Sequence, residues 1–249
     1  MATKPTRRAV MARTLGALTA GVWGLGSAPA RAYQVSPMIF ELEPSGRNAS
    51  AMLYIENTAA LPLTVEVTVE RRVFDEQGAE ARTPAPEDFV LFPPQAVVPA
   101  GGTQAIRVQY NGPATLASSV MYTVTVRQLP VNLPLTEGNG VRFVFNFSAV
   151  VNVVPPASRA RIVVQAVEPL DTERLALRIA NEGDRYANLA EAQVTLSAPG
   201  FERALTREEW REALGVSWLL PGAARSLTMP SFGAPGPVAV AVRAPDGAW

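Results

Sequence analysis

The side chains that most often carry catalysis are missing from this chain, which has no Cys and no His among its 249 residues. Without them it cannot form Cys–His pairs, Ser–His–Asp triads or the usual zinc ligand sets. No P-loop or GxGxxG phosphate cradle is present, and no pair of carboxylates marks a recognisable cleft. The sequence therefore predicts a non-enzymatic protein without cofactor or metal. A carboxylate-dependent enzyme is kept only as a formal alternative.

Three phenylalanines at two-residue spacing offer binding chemistry instead. Phe143, Phe145 and Phe147 lie in the stretch 141–154, which is rich in Val and Phe and contains no Gly or Pro. Such a stretch predicts one long β-strand, and alternation places the three rings on one face. The strand could be an ordinary central strand covered on both faces by its own domain. It could instead offer one face to another molecule.

Short strand-like segments precede this strand at regular spacing. Seven of them lie between residues 34 and 129, separated by turn signals and without helical periodicity. In the segment 63–69, three Val side chains share one face and polar side chains share the other. Pro37 interrupts the first segment, 34–43, which suits an edge strand or a strand that changes sheets. The pattern predicts an all-β, immunoglobulin-like sandwich.

The chain after the long strand repeats this pattern in a smaller unit. Pro155 and Pro156 end the strand and predict a short, stiff connection, so we place a domain boundary there, between 33–155 and 156–249. Six further strand-like segments predict a second, smaller β-sandwich. The segment 205–214 begins with a capping-box pattern, Thr206 to Glu209, which predicts one short helix.

Residues 1–32 have a different composition from the rest. Basic residues precede a small and apolar run, and Ala30-Arg31-Ala32 has the form of a cleavage site, which predicts a secretory signal removed before Tyr33. The run is too short for a membrane span, so we expect no membrane insertion. Removing the segment leaves 17 basic against 22 acidic residues, a net charge of about −5. An acidic protein of this kind is a poor partner for nucleic acid.

Several short motifs, in order, resemble the periplasmic pilus-assembly chaperones of the chaperone/usher pathway. The resemblance covers essentially all of 33–249, and each motif is weak alone. The motifs are Val35-Ser36-Pro37, Ile55-Glu56-Asn57, Leu61-Pro62, Pro93-Pro94, Val98-Pro99-Ala100-Gly101, Ile106-Arg107-Val108, Val126-Arg127-Gln128-Leu129-Pro130, Leu177-Arg178-Ile179-Ala180-Asn181 and Leu220-Pro221-Gly222.

The resemblance implies a mechanism, a location and partners. Members of the family reside in the periplasm, lend their long strand to a fimbrial or coat-like subunit that lacks its last strand, and deliver it to an outer-membrane usher. Such a subunit exposes an apolar groove and an unpaired strand edge, both of which promote aggregation. The residues that would enter the groove are Phe143, Val144, Phe145, Phe147 and Ala149.

The chain departs from the family at the site that binds the subunit's terminal carboxylate. The two basic positions of the well-studied members fall on Glu41 and on Val151, or Val150 if the register shifts by one, and none of these is basic. The sequence is therefore more similar to the divergent branch that assembles thin fibres or coat-like proteins. Arg127 and Arg107 remain candidate carboxylate anchors, because Arg can bind a carboxylate through two parallel hydrogen bonds.

One competing interpretation stays open from the sequence. A secreted, two-domain immunoglobulin-like binding or adhesion module would show the same strand pattern. In that protein the long strand would be an ordinary core strand.

Overall fold

The computed structural model describes residues 33–129 and 144–245 and shows an almost entirely β protein. This confirms the predicted all-β fold with two sandwich domains and one short helix in the second. The predicted signal segment and Phe143 lie outside the described residues. Each domain has its own cluster of buried apolar side chains. The exact boundary at 155/156 stays a prediction.

The first domain is a sandwich of two sheets. Its strands are β1 (Gln34–Ser36), β2 (Ile39–Leu42), β3 (Ser50–Glu56), β4 (Leu63–Phe74), β5 (Glu80–Pro84), β6 (Phe89–Phe92), β7 (Gln95–Val98), β8 (Thr103–Tyr110), β9 (Val120–Gln128) and β10 (Asn146–Val153). One sheet has the order β1-β3-β8-β6, and the other has the order β2-β10-β9-β4-β5 with β7 also paired to β4. Two 3-10 turns, Arg47–Ala49 and Pro86–Asp88, complete the domain.

The first predicted strand is split between the two sheets. β1 pairs with β3 in the four-stranded sheet, whereas β2 runs parallel to β10 in the six-stranded sheet. Pro37 lies between them, and because it lacks a backbone N–H it cannot continue a ladder. The prediction that the chain changes sheets at Pro37 is therefore confirmed. The segment 34–43 is not one continuous strand.

The second domain consists of three small sheets. Its elements are β11 (Ile162–Pro169), β12 (Arg174–Asn181), β13 (Ala187–Asn188), β14 (Gln193–Ala198), β15 (Phe201–Ala204), α1 (Arg207–Leu214), β16 (Trp218–Leu219), β17 (Ala224–Pro230) and β18 (Ala239–Arg243), with a 3-10 turn at Leu189–Glu191. The sheets have the orders β11-β12-β17, β13-β16 and β15-β14-β18. Within the described ranges, no helix is long and apolar enough to cross a membrane.

Candidate functional site

β10 (Asn146–Val153) is shorter than the predicted strand 141–154, because residues 144 and 145 belong to no strand, and 141–143 lie outside the described residues. β10 is paired on one edge along its whole length but on the other edge only in its second half. β9 pairs antiparallel with all of it, from Asn146 to Val153. β2 pairs with Val150 to Val153 and stops there. Among the strands of the described ranges, none pairs with the second edge of Asn146–Ala149. The first half of β10 is therefore an open strand edge.

The backbone groups on this open edge can be identified from the pairing. The N–H of Val150 donates to the carbonyl of Met38 at 2.8 Å, so the backbone groups of even-numbered residues face the side of β2. Backbone groups alternate along a strand with a period of two. The N–H and C=O of Asn146 and Ser148 consequently face the open side, where an added strand would form its ladder.

The odd-numbered side chains pass from the domain core to the surface along the same strand. Ala149, Val151 and Val153 are each 0% exposed. Phe147 is half-buried against the core cluster, and Phe145 is 36% exposed. The apolar face of β10 thus extends past the end of its own core, beside the open backbone edge. An apolar groove placed beside β10 would continue that core.

The predicted donor residues range from buried to exposed along this strand. The structure brings Phe145, Phe147 and Ala149 to one face and leaves Val144 exposed before β10 begins. The assignment of these residues, and of Phe143, to a subunit groove stays a prediction.

The two candidate anchors lie in different sheets. Arg127 is on β9 directly opposite Asn146, the first residue of β10, and its guanidinium binds the carboxylate of Glu66 on β4. That bond lowers the pKa of Glu66. Arg107 is exposed on β8, in the four-stranded sheet, where its backbone partners are Met52 and Phe92. Only Arg127 therefore lies in the sheet of β10, next to its first residue and across its paired edge.

Glu41, at one of the family's two basic positions, takes part in a contact between the two domains. Glu41 accepts hydrogen bonds from Arg185 at 2.6 Å and from the hydroxyl of Tyr186 at 2.5 Å. Burial, followed by the hydrogen bond to Glu41, raises the pKa of Tyr186. Glu41 lies on β2 opposite Asn152 of β10, whose amide is fully buried. The guanidinium beside Glu41, that of Arg185, thus comes from the second domain.

Sequence reasoning missed Arg185 and Tyr186, because neither belongs to a motif that resembles the family. A cavity of about 290 Å³ lies beside this contact, lined among others by Glu43, Asn48 and Pro155. Its lining combines apolar side chains with the carboxylates of Glu41 and Glu43 and the guanidinium of Arg185. Across the described residues, no group of three or more acidic side chains could hold a metal ion.

Comparison with solved structures identifies the fold first. The chain superposes on the class 5 fimbriae chaperone CfaA with a TM-score of 0.56 at 11% identity, covering 86% of this chain and all of that one. The chaperone of the Salmonella enterica SafA–SafB complex gives 0.53 at 15% identity, with 87% and 99% covered. A match to the CsuC–CsuE pre-assembly complex of archaic Csu pili from Acinetobacter baumannii gives 0.52 at 13%, with 78% and 89% covered. These superpositions show the two-domain fold.

The family follows from the sequence of the first domain. Residues 40–158 match the family described as pili and flagellar-assembly chaperone, PapD N-terminal domain. The first domain therefore matches the PapD N-terminal domain family, which confirms the resemblance to pilus-assembly chaperones that the motifs predicted. No curated protein matches the chain by sequence.

Proposed function

We propose that this protein is a periplasmic chaperone that binds fimbrial or coat-like subunits by lending them the open edge of β10 and delivers them to an outer-membrane usher. The family supports the role of a pilus-assembly chaperone, which is not an enzymatic role. Two of the structural relatives hold a pilin or a tip subunit with their chaperone. We propose partners of the same kind here.

One observation carries this proposal: the open backbone edge and the exposed end of the apolar face coincide at residues 145–148. An incomplete sandwich needs both a ladder partner and an apolar side chain for its groove, and this segment supplies both. Phe145 is 36% exposed, so burying that remainder in a groove would contribute about 0.5–1 kcal/mol, a third of the value for a fully exposed ring. The ladder would add directional hydrogen bonds along the Asn146 and Ser148 backbone.

The change Phe145→Asp tests this proposal. We expect it to abolish recovery of a co-expressed subunit, because a carboxylate in an apolar groove costs several kcal/mol without a partner. The chaperone should stay folded by circular dichroism, since the Phe145 side chain already contacts water. Phe92→Asp is the matched control, because Phe92 is 69% exposed in the other sheet of the same domain. Equal subunit recovery by both variants would contradict strand donation at this edge.

The adhesion-module alternative makes the opposite prediction for the same variant. There β10 would be a core strand throughout, and Phe145→Asp would unfold the domain. The exposure of Phe145 and the family of the first domain both argue against it.

Arg127 is the better of the two proposed carboxylate anchors. It lies at the entry of β10, whereas Arg107 is in the sheet that does not contain β10. A subunit carboxylate at Arg127 would have to displace Glu66, so Glu66→Gln should tighten subunit binding if Arg127 is the anchor. Arg127→Gln should weaken it. If neither variant changes the affinity, the anchor must be another cation. The next candidate is Arg185, which binds Glu41 at one of the family's two basic positions.

A further inference from the structure

Tyr33 contacts the donor segment where it leaves the core. Its side chain is 3% exposed, and its hydroxyl lies 2.9 Å from the carbonyl of Val126 on β9 and 2.8 Å from the carbonyl of Phe145. One hydroxyl hydrogen is therefore shared between two carbonyl acceptors on neighbouring chain segments. Tyr33 precedes β1, so the bond ties the start of the domain to the start of β10.

The ring of Tyr33 also covers Phe147. The two ring centroids are 4.7 Å apart with an interplanar angle of 67°, an edge-to-face contact of the favourable kind. Burial raises the pKa of Tyr33 to about 12, an effect that the backbone N–H of Phe147 partly offsets. The hydroxyl is therefore neutral, and it can donate a hydrogen bond, throughout the physiological pH range.

These contacts place the side chains of Phe145 and Phe147 in different environments. Phe147 is half-buried beneath Tyr33 and belongs to the core cluster of its own domain. Tyr33 binds Phe145, two residues earlier, through its carbonyl, and the Phe145 side chain is 36% exposed.

From this geometry we infer that Tyr33 is a positioning residue that sets where the donated segment begins, retaining Phe147 in the home core and presenting Phe145 to the subunit. The inference rests on the proposed function. It adds that the register of the lent strand is fixed by a side chain outside the six-stranded sheet. A subunit would then meet a segment already held in extended form, which reduces the ordering cost of binding.

Hydrogen exchange in the chaperone alone tests the clamp without any subunit. Tyr33→Phe keeps the ring and removes only the hydroxyl, so the domain should fold. Within 145–149, the N–H groups of Phe147 and Ala149 face β9, and we expect these two amides to exchange about tenfold faster, since one hydrogen bond opposes their local opening. Tyr122→Phe is the matched control, because it removes another buried hydroxyl of the same domain, bound to Asp88 at 2.8 Å. Unchanged exchange at 145–149 in Tyr33→Phe, or equal acceleration in both variants, would overturn the inference.

The division of the two phenylalanines is tested with the subunit that co-purifies with the unaltered chaperone. Phe147→Ala should lower the melting temperature but retain subunit yield per folded chaperone, and Phe145→Ala should do the reverse. Loss of subunit from Phe147→Ala at an unchanged melting temperature would overturn the division. If no subunit co-purifies with the unaltered chain, the proposed function fails, while the exchange experiment still decides whether Tyr33 holds the segment.

Discussion

Single buried amides hold the ends of strands in both domains. Asn57 is 1% exposed, and its Nδ2 lies at 2.8–3.1 Å from the carbonyls of Leu61, Val98 and Pro99. Its Oδ1 accepts from the N–H of Ala59 at 3.0 Å. Asn181, the last residue of β12, plays the same part in the second domain, so the two Asn-containing motifs have a structural explanation.

The change Asn57→Ala should therefore be costly. It leaves carbonyls and an N–H without their partner in a buried loop, and we expect a loss of about 3 kcal/mol in the free energy of unfolding. Asn48→Ala is the control, since Asn48 is exposed and bonds only the carboxylate of Glu43. Urea denaturation of both variants measures the difference. A loss below about 1 kcal/mol for Asn57→Ala would show that the loop rearranges to satisfy these groups.

The side chains of β10 show what the sequence can and cannot predict at this scale. Alternation correctly places Phe145 and Phe147 on one face, because the period of a strand is local. Whether each ring is covered depends on Tyr33, whose contacts join residues 93 and 112 positions apart. No periodicity in the 141–154 stretch contains that information.

Among the elements, those with local signals were predicted and those formed by pairing alone were not. β4 was expected over 64–74 from its alternating Val residues, and it spans Leu63–Phe74. β5 was missed, because all five of its residues are exposed and none follows an apolar alternation. It forms because the turn at Asp75 brings it back onto β4, with Asp75 Oδ1 accepting from the N–H of Gln77 and Ala79.

Helix α1 was predicted from its first turn, and the structure confirms the capping box. The Thr206 side chain accepts from the N–H of Glu209, and the Glu209 carboxylate accepts from the N–H of Thr206. Thr206→Ala should cost the second domain about 1 kcal/mol. Glu208→Ala, in the same turn but outside the box, should cost much less. Urea unfolding followed by the fluorescence of the buried Trp210 measures this, and equal midpoints would mean that the packing of Trp210 alone fixes the helix start.

At the scale of the whole molecule, two separate contacts connect the domains within the residues that the structure describes. One joins β2 and the residue before β9 to the segment 184–186, where Ser119 donates its N–H to the carbonyl of Asp184 and accepts from the N–H of Tyr186. The other is the turn between β4 and β5, which reaches β12 and β17.

The second contact is built on Glu76. Its carboxylate binds the guanidinium of Arg178 on β12 through two bonds of 2.5 and 2.9 Å, and its carbonyl accepts from the N–H of Ser226 on β17. The hydrogen bond to Arg178 lowers the pKa of Glu76 below 4.5. The stabilisation is therefore complete above pH 4.5, the value in the unfolded chain, and is lost as the pH falls through the lower, folded value.

Glu76→Gln should loosen the domains at neutral pH and remove this acid sensitivity. We expect the urea unfolding transitions of the two domains to separate in the variant, and in the unaltered chain only as the pH falls below 4.5 through the lowered pKa of Glu76. Glu66→Gln is the matched control, because the pKa of Glu66 is also lowered by an Arg but both partners lie in the first domain. Since Gln cannot titrate, Glu76→Gln should show the same separation at both pH values. If Glu66→Gln separates the transitions equally, loss of first-domain stability, rather than the contact at Arg178, would explain the effect.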